Sequence, residues 1–228
     1  MNARFFLAAA IVAIAGAGIA AAQAPSLTYL GRSTVKLVTA DGFVVYVDPY
    51  GNGDYSQAAD LLLVTHGHSD HAAVGLVTLK PTAVVASPAG AVSVPGSRAV
   101  KEGDEFTVGP VTVKVVPAYN KNHYRDESVG FVIMFDGLSV YHAGDTSYIA
   151  EMASLASMGI DYALLPTDGY YNMDGVQAGK CYDAIKPRFV LPIHSSPERM
   201  FDRARAAKLV RPGAIILEPG MTITLESN

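Results

Sequence analysis

The chain of 228 residues has no tryptophan, six histidines and one cysteine, Cys181. A lone thiol excludes an internal disulfide framework. Cys181 lies in a helical pattern over 176–185, where a buried core filler is expected rather than a reactive group. Basic clusters are also missing. With 17 Lys and Arg against 21 Asp and Glu, the net charge is −4. The electrostatic footprint of a nucleic-acid binder is therefore absent. No low-complexity stretch occurs after residue 24.

The first 24 residues, MNARFFLAAAIVAIAGAGIAAAQA, carry one charge, Arg4, then an uncharged Ala/Gly/Ile-rich run. This is the n-region, h-region and small-residue pattern of a secretory signal peptide. Cleavage after Ala22 fits Ala20-Ala21-Ala22, and cleavage after Ala24 satisfies the same rule. The run is nearly long enough to span a bilayer, but its Ala/Gly softness argues for removal rather than anchoring. The expectation is a leader over 1–22 and one globular domain over 25–228, periplasmic or secreted, with no stable membrane span once the leader is cut.

Short β-type runs fill the first half of the domain, at 27–30, 35–39, 43–47, 61–64 and 83–86. Turn signals such as Asp41-Gly42 and Pro95-Gly96 separate them. The runs 106–108 and 111–116 flank Gly109-Pro110, and 130–134 and 138–141 flank Asp136-Gly137, a strong hairpin signal. Later runs are 162–165, 189–191, 214–217 and 222–225. Helical patterns are fewer, at 71–79, 149–156, 176–185 and 197–208. Strands first, then strands alternating with helices, predict mixed sheets with helices packed outside.

The most informative string is LLLVTHGHSDH, residues 61–71. A core strand is followed at once by His66, His68, Asp70 and His71. Imidazole and carboxylate are good ligands for divalent transition metals. In an extended loop, residues i and i+2 point the same way, so His66 and His68 can grip one ion. Asp70 and His71 can reach a second. Asp145 and His194 each sit just past a strand, where sheet proteins place their sites. His123 lies in the polar loop YNKNHYRDES, where a solvated histidine is an equal alternative. His142 directly follows its strand and reads as support for the ligands rather than as one of them. The segments 61–71 and 138–147 echo each other, which predicts that both loops emerge at the same sheet edge.

These motifs resemble the metallo-β-lactamase-fold hydrolases over essentially the whole mature chain. THGHSDH matches the family's HxHxDH, VYHAGDT its Gly-Asp-Thr segment and LPIH its final histidine. PAYNKNH, ALLPTDGYYNMDG and VLPIHSSP are similar to a branch of small hydrolases near the ascorbate-phosphate lactonase group. The resemblance implies an αββα sandwich, two mixed β-sheets face to face with helices outside and the site at one edge. It implies two divalent metal ions, most simply Zn²⁺, with Mn²⁺ or Fe also compatible. One metal would take His66, His68 and His123, the other Asp70, His71 and His194, with Asp145 bridging. Asn120 stands where many members place the third histidine, and Arg32 where relatives often carry histidine. Arg32 reads equally as a charge favouring an anionic substrate or as a surface residue.

The implied chemistry is hydrolysis of a small ester, lactone or phosphodiester by a metal-activated hydroxide, with Asp70 and Asp145 as the catalytic carboxylates. Arg32, Asn120, Tyr170 and Tyr171 are candidate substrate contacts. Ser69 is not marked as a nucleophile. His68 stands where di-iron relatives of this fold carry glutamate, and Asp145 where zinc β-lactamases of the main class use cysteine. DPYGNGDYSQAA, from Asp48, lacks the acids of a calcium loop and reads as a turn. The rival readings are a non-catalytic zinc-binding protein and an amide hydrolase of β-lactam type.

Overall fold

The computed structural model describes residues 23–227, so the leader expected over 1–22 lies outside the described residues. In chain order the strands are β1 (Ser26–Gly31), β2 (Thr34–Val38), β3 (Val44–Val47), β4 (Ala59–Leu63), β5 (Leu79–Ser87) and β6 (Arg98–Ala99). There follow β7 (Glu105–Val108), β8 (Val111–Pro117), β9 (Val129–Phe135), β10 (Leu138–His142), β11 (Tyr162–Pro166), β12 (Phe189–Ile193) and β13 (Thr222–Thr224). One sheet runs β13-β1-β2-β3-β4-β5-β6 and the other β12-β11-β10-β9-β8-β7. Both are mixed: hairpins pair antiparallel, and β3 to β6 and β10 to β12 pair in parallel. Asp136 and Gly137 both adopt positive φ, as the two-residue turn between β9 and β10 requires.

Alternation along the strands builds the layers. Leu27 and Tyr29, Val45 and Val47, and Leu61 and Leu63 point inward from the first sheet. They meet Phe131, Ile133, Leu164 and Ile193 from the second in one buried cluster. The intervening residues Val132, Tyr141, Ala163 and Val190 face outward. They are covered by α1 (Gly175–Ile185) and a 3₁₀ segment, Ala150–Met158. Asp174 caps α1 by accepting from the amides of Val176 and Gln177. Cys181 is buried here, and burial pushes its thiol up to about 12, as expected of a core filler. The outer face of the first sheet, with Leu30, Tyr46 and Leu62, is covered by Val77, Tyr55, Val74 and Val92 from loops. The helical layer on that side is thin.

Four local expectations are corrected. Residues 71–79 do not form a helix. The chain makes one 3₁₀ turn, Val74–Leu76, and Leu79 already begins β5, because Ala73 donates to Pro49 O and Leu79 pairs with Ala59. The helix expected over 149–156 is a 3₁₀ segment, Ala150–Met158, with Ile149 extended before it. The helix expected over 197–208 shrinks to α2 (Arg203–Ala206), because the backbone before it is drawn away: Met200 O accepts from Arg32 N. The run 214–217 makes only an isolated bridge, Val190 with Ala214.

Candidate metal centre

The pairing directions make β1, β3 and β4 run the same way in one sheet. In the other, β8, β10, β11 and β12 share a direction. Their C-terminal ends deliver the site. His66 to His71 follow β4, His123 lies in the loop after β8, Asp145 follows β10 and His194 follows β12. The two echoing segments thus emerge at one end of the sandwich, but from different sheets.

Asp48, immediately after β3, organises the first loop. Its Oδ1 accepts from the Thr65 amide (2.7 Å) and its Oδ2 from the Thr65 hydroxyl (2.7 Å) and from His71 Nδ1 (2.7 Å). The Thr65 hydroxyl has one proton and spends it on Asp48. Its oxygen can then accept from His66 Nδ1, 3.0 Å away. Both histidines are left with Nε2 facing inward. His123 repeats the arrangement, and His194 has a carboxylate beside Nδ1 at ion-pair distance but without hydrogen-bond geometry. His123 Nδ1 donates to Asn120 Oδ1 (2.9 Å), and His194 Nδ1 lies 3.1 Å from Asp168 Oδ2. Such partners fix the tautomer and ring plane of a metal-binding imidazole.

Asp145 sits at the centre. Its Oδ1 is 3.5 Å from His71 Nε2, and its Oδ2 is 3.3 Å from His123 Nε2 and 3.4 Å from His194 Nε2. Gly144 before it has φ +62, and a Cβ there would lie 2.8 Å from Val129 O, so only glycine fits this turn. His142 braces the same turn: Nε2 donates to Ser33 O (2.7 Å) and Nδ1 accepts from Gly144 N (3.2 Å). Its ring nitrogens are thus used away from the other histidines.

Donor atoms fall into three overlapping groups, each within 4.8 Å: His66, His68 and His123; His66, His71 and Asp145; Asp70, His71 and His194. His71 Nε2 and Asp145 Oδ1 are buried without a hydrogen-bond partner. Leaving such atoms unsatisfied costs on the order of 1–3 kcal/mol each. A divalent cation would satisfy both, and imidazole with carboxylate suits Zn²⁺, Mn²⁺ or Fe, so the residues fit a metal.

Burial and neighbouring charge split the histidines. Burial holds His66 down to about 3, and lowers His123 and His142. Burial also opposes charge on His71 and His194, but the carboxylates outweigh it. Asp145 and Asp48 hold His71 well above its ordinary value, and Asp145, Asp168 and Asp70 lift His194 to about 9. Asp145 is held far below the usual carboxylate range, because His194 and His71 outweigh its burial.

A cavity of about 370 Å³ opens over the cluster, with Tyr50, Ser69, Asn122, Tyr171 and Pro197 around it. Tyr171 is one of the anticipated substrate contacts. Tyr170 packs edge-on against it, with ring centroids 4.7 Å apart, and is not on the cavity wall. Asn120 is corrected to a supporting role. Its carbonyl accepts from His123 and from the Asn122 amide, and its Nδ2 donates to Tyr171 O and Asn172 Oδ1. Arg32 lines the same cavity, and its burial excludes the alternative of a surface residue. Its Nε and Nη2 donate to Asp70 Oδ2 (2.9 and 2.6 Å) and its Nη1 to Ser196 O (2.6 Å). Asp48 and Asp168 are the supporting residues that sequence reasoning missed. Their one signal is an acid one or two positions past an apolar strand.

Fold and site together define a metal-dependent hydrolase with the metallo-β-lactamase fold. Residues 26–194 match the family described as the β-lactamase superfamily domain, and the chain belongs to that family. A UPF0173 metal-dependent hydrolase of Thermus thermophilus is 31% identical over 224 residues, spanning 87% of this chain and 98% of the relative. Among solved structures, a metallo hydrolase of Ignicoccus hospitalis, Igni18, superposes with TM-score 0.71 at 26% identity, covering 90% of this chain and 100% of that one. A Parabacteroides distasonis protein assigned as a metal-dependent hydrolase gives TM-score 0.74 at 27% identity, over 84% and 92%. Among the described residues, no helix is long and apolar enough to cross a membrane.

Proposed function

We propose that this hydrolase holds two divalent cations and cleaves a small ester, lactone or phosphodiester. His66, His68 and His123 form the first position, Asp70, His71 and His194 the second, and Asp145 bridges them. Zinc is the cation we assign, with Mn²⁺ or Fe as the alternatives. The observation that carries the reading is the buried, unpartnered pair His71 Nε2 and Asp145 Oδ1, set between the donor groups of both positions.

Bound there, the cations would acidify a water and polarise the substrate oxygen. The chain supplies the geometry. Asp48, Thr65, Asn120 and Asp168 keep four imidazoles turned with Nε2 inward. Asp70, half-buried on the cavity wall, orients the attacking water through the oxygen that Arg32 does not hold. Tyr171 meets the substrate at the cavity mouth. Elemental analysis of purified protein should find close to two transition metals per chain, and one or none would count against the dinuclear reading. A hydrolysis screen over phosphodiesters, lactones, thioesters and β-lactams identifies the bond. Asp70→Ala should abolish turnover while the circular dichroism spectrum is kept.

We also propose export, on the leader-like composition of residues 1–24. N-terminal sequencing of the chain recovered from outside the cytoplasm should start at Gln23 or Pro25. Cytoplasmic protein with residues 1–24 intact would refute it.

A further inference from the structure

We propose that Arg32 makes the two cation positions unequal: it occupies the carboxylate oxygen that Asp70 offers to the second cation, so the His66, His68 and His123 position fills first. This rests on the dinuclear reading above.

Arg32 is fixed from every side. It has φ +57 in the turn between β1 and β2. Its amide donates to Met200 O (2.7 Å), and its carbonyl accepts from the His194 amide (2.6 Å) and the Tyr29 hydroxyl (2.9 Å). The arginine is thus joined by backbone to a ligand of the second position. Its Nη1 is tied to Ser196 O, so the guanidinium cannot swing out of the way.

The way it meets Asp70 matters more. Arginine commonly grips a carboxylate with one N–H on each oxygen. Here Nε and Nη2 both end on Oδ2. That same oxygen faces the second position, 3.5 Å from His194 Nε2 and 3.9 Å from His71 Nε2. A cation held by Oδ2 would be its third partner, and would sit close to a fixed positive charge in a site of low dielectric. Oδ2 is accordingly not among the unsatisfied buried atoms, whereas His71 Nε2 and Asp145 Oδ1 are.

On ligand charge alone, two imidazoles with a carboxylate should hold a dication more tightly than three imidazoles. Arg32 cancels that carboxylate. Among the described residues no Arg or Lys is hydrogen-bonded to a ligand of the first position, where His66 and His123 present Nε2 with their outer nitrogens on Thr65 and Asn120. The order of affinity is therefore inverted.

The test is calorimetric titration of metal-stripped protein with Zn²⁺ in a chelator buffer. The wild type should bind in two steps, the second at least tenfold weaker than the first. His194→Ala should erase the weak step and spare the tight one, and His123→Ala should erase the tight one. Arg32→Gln should tighten the weak step at least tenfold. Two equal steps, filling of the His194 position first, or an Arg32→Gln variant whose weak step is unchanged or weaker would overturn the proposal. If Arg32→Gln does not fold, the filling order in the wild type still decides. Fewer than two zinc ions in the wild type would instead sink the dinuclear reading itself.

Discussion

Asp48 and His71 are joined at 2.7 Å, and neither side chain is exposed to solvent. The carboxylate also closes the end of β4 through both polar groups of Thr65. It therefore couples the strand end to a metal-facing imidazole, a job that an amide cannot do with one acceptor oxygen. Asp48→Asn is expected to weaken metal binding by roughly 10–100-fold, the usual consequence of losing such a partner. Chelator competition measures it, and unchanged affinity would remove Asp48 from the centre.

His123 and Asn120 separate by the same logic. His123 Nε2 points at Asp145, while Asn120 holds the opposite ring nitrogen. Metal content should fall in His123→Ala as far as in His66→Ala. Asn120→Ala should retain the metal with affinity reduced roughly tenfold. If Asn120→Ala lost as much metal as His66→Ala while His123→Ala lost none, the ligand would be Asn120.

The legible part of this site is the part written contiguously. His66, His68, Asp70 and His71 follow a buried apolar strand within six positions, so their density groups them, and period-two spacing pairs His66 with His68. Asp145 and His194 could be read because each ends a strand. Asp48 could not, because its partners are set by the parallel pairing of β3 with β4, which is non-local. Locally it is only an acid before Pro49, and a turn was the natural reading. The same holds for Arg32, whose partners Asp70 and Ser196 lie 38 and 164 positions away. The missed helices have a similar cause. Apolar spacing in 71–79 and 197–208 suits a helix, but Pro49 and Arg32 take up backbone groups that a helix would need.

Tyr171 offers a cleaner probe of substrate contact than its neighbours. Its backbone does the structural work: its amide donates to Asp168 Oδ1, and its carbonyl accepts from Asn120 and Asn122. The ring lines the cavity wall, with Tyr170 edge-on against it. Tyr171→Ala should therefore leave metal content and melting temperature close to wild type. KM should rise roughly five- to tenfold with little change in kcat, the signature of lost uniform binding. An unaltered KM on the best substrate of the screen would place the ring outside the productive complex.

The split among the histidines sets the pH dependence of the metal-free protein. His71 and His194 are held above the ordinary value of 6.5, His194 at about 9. The native state keeps these protons while the unfolded chain releases them, so stability falls as pH rises from 6.5 through about 9. For His194 alone the loss is on the order of 3 kcal/mol, taking about 1.4 kcal/mol per pH unit. His66, His123 and His142 are held below 6.5. Below that pH the unfolded chain takes up protons that the native state refuses, so stability falls in the acid direction too. Thermal melts in chelator should therefore peak near pH 6.5 and decline on both sides. Saturating zinc displaces the protons on His71 and His194 and should flatten the alkaline limb. Metal-free protein whose melting temperature kept rising to about pH 9 would contradict the raised values assigned to both residues.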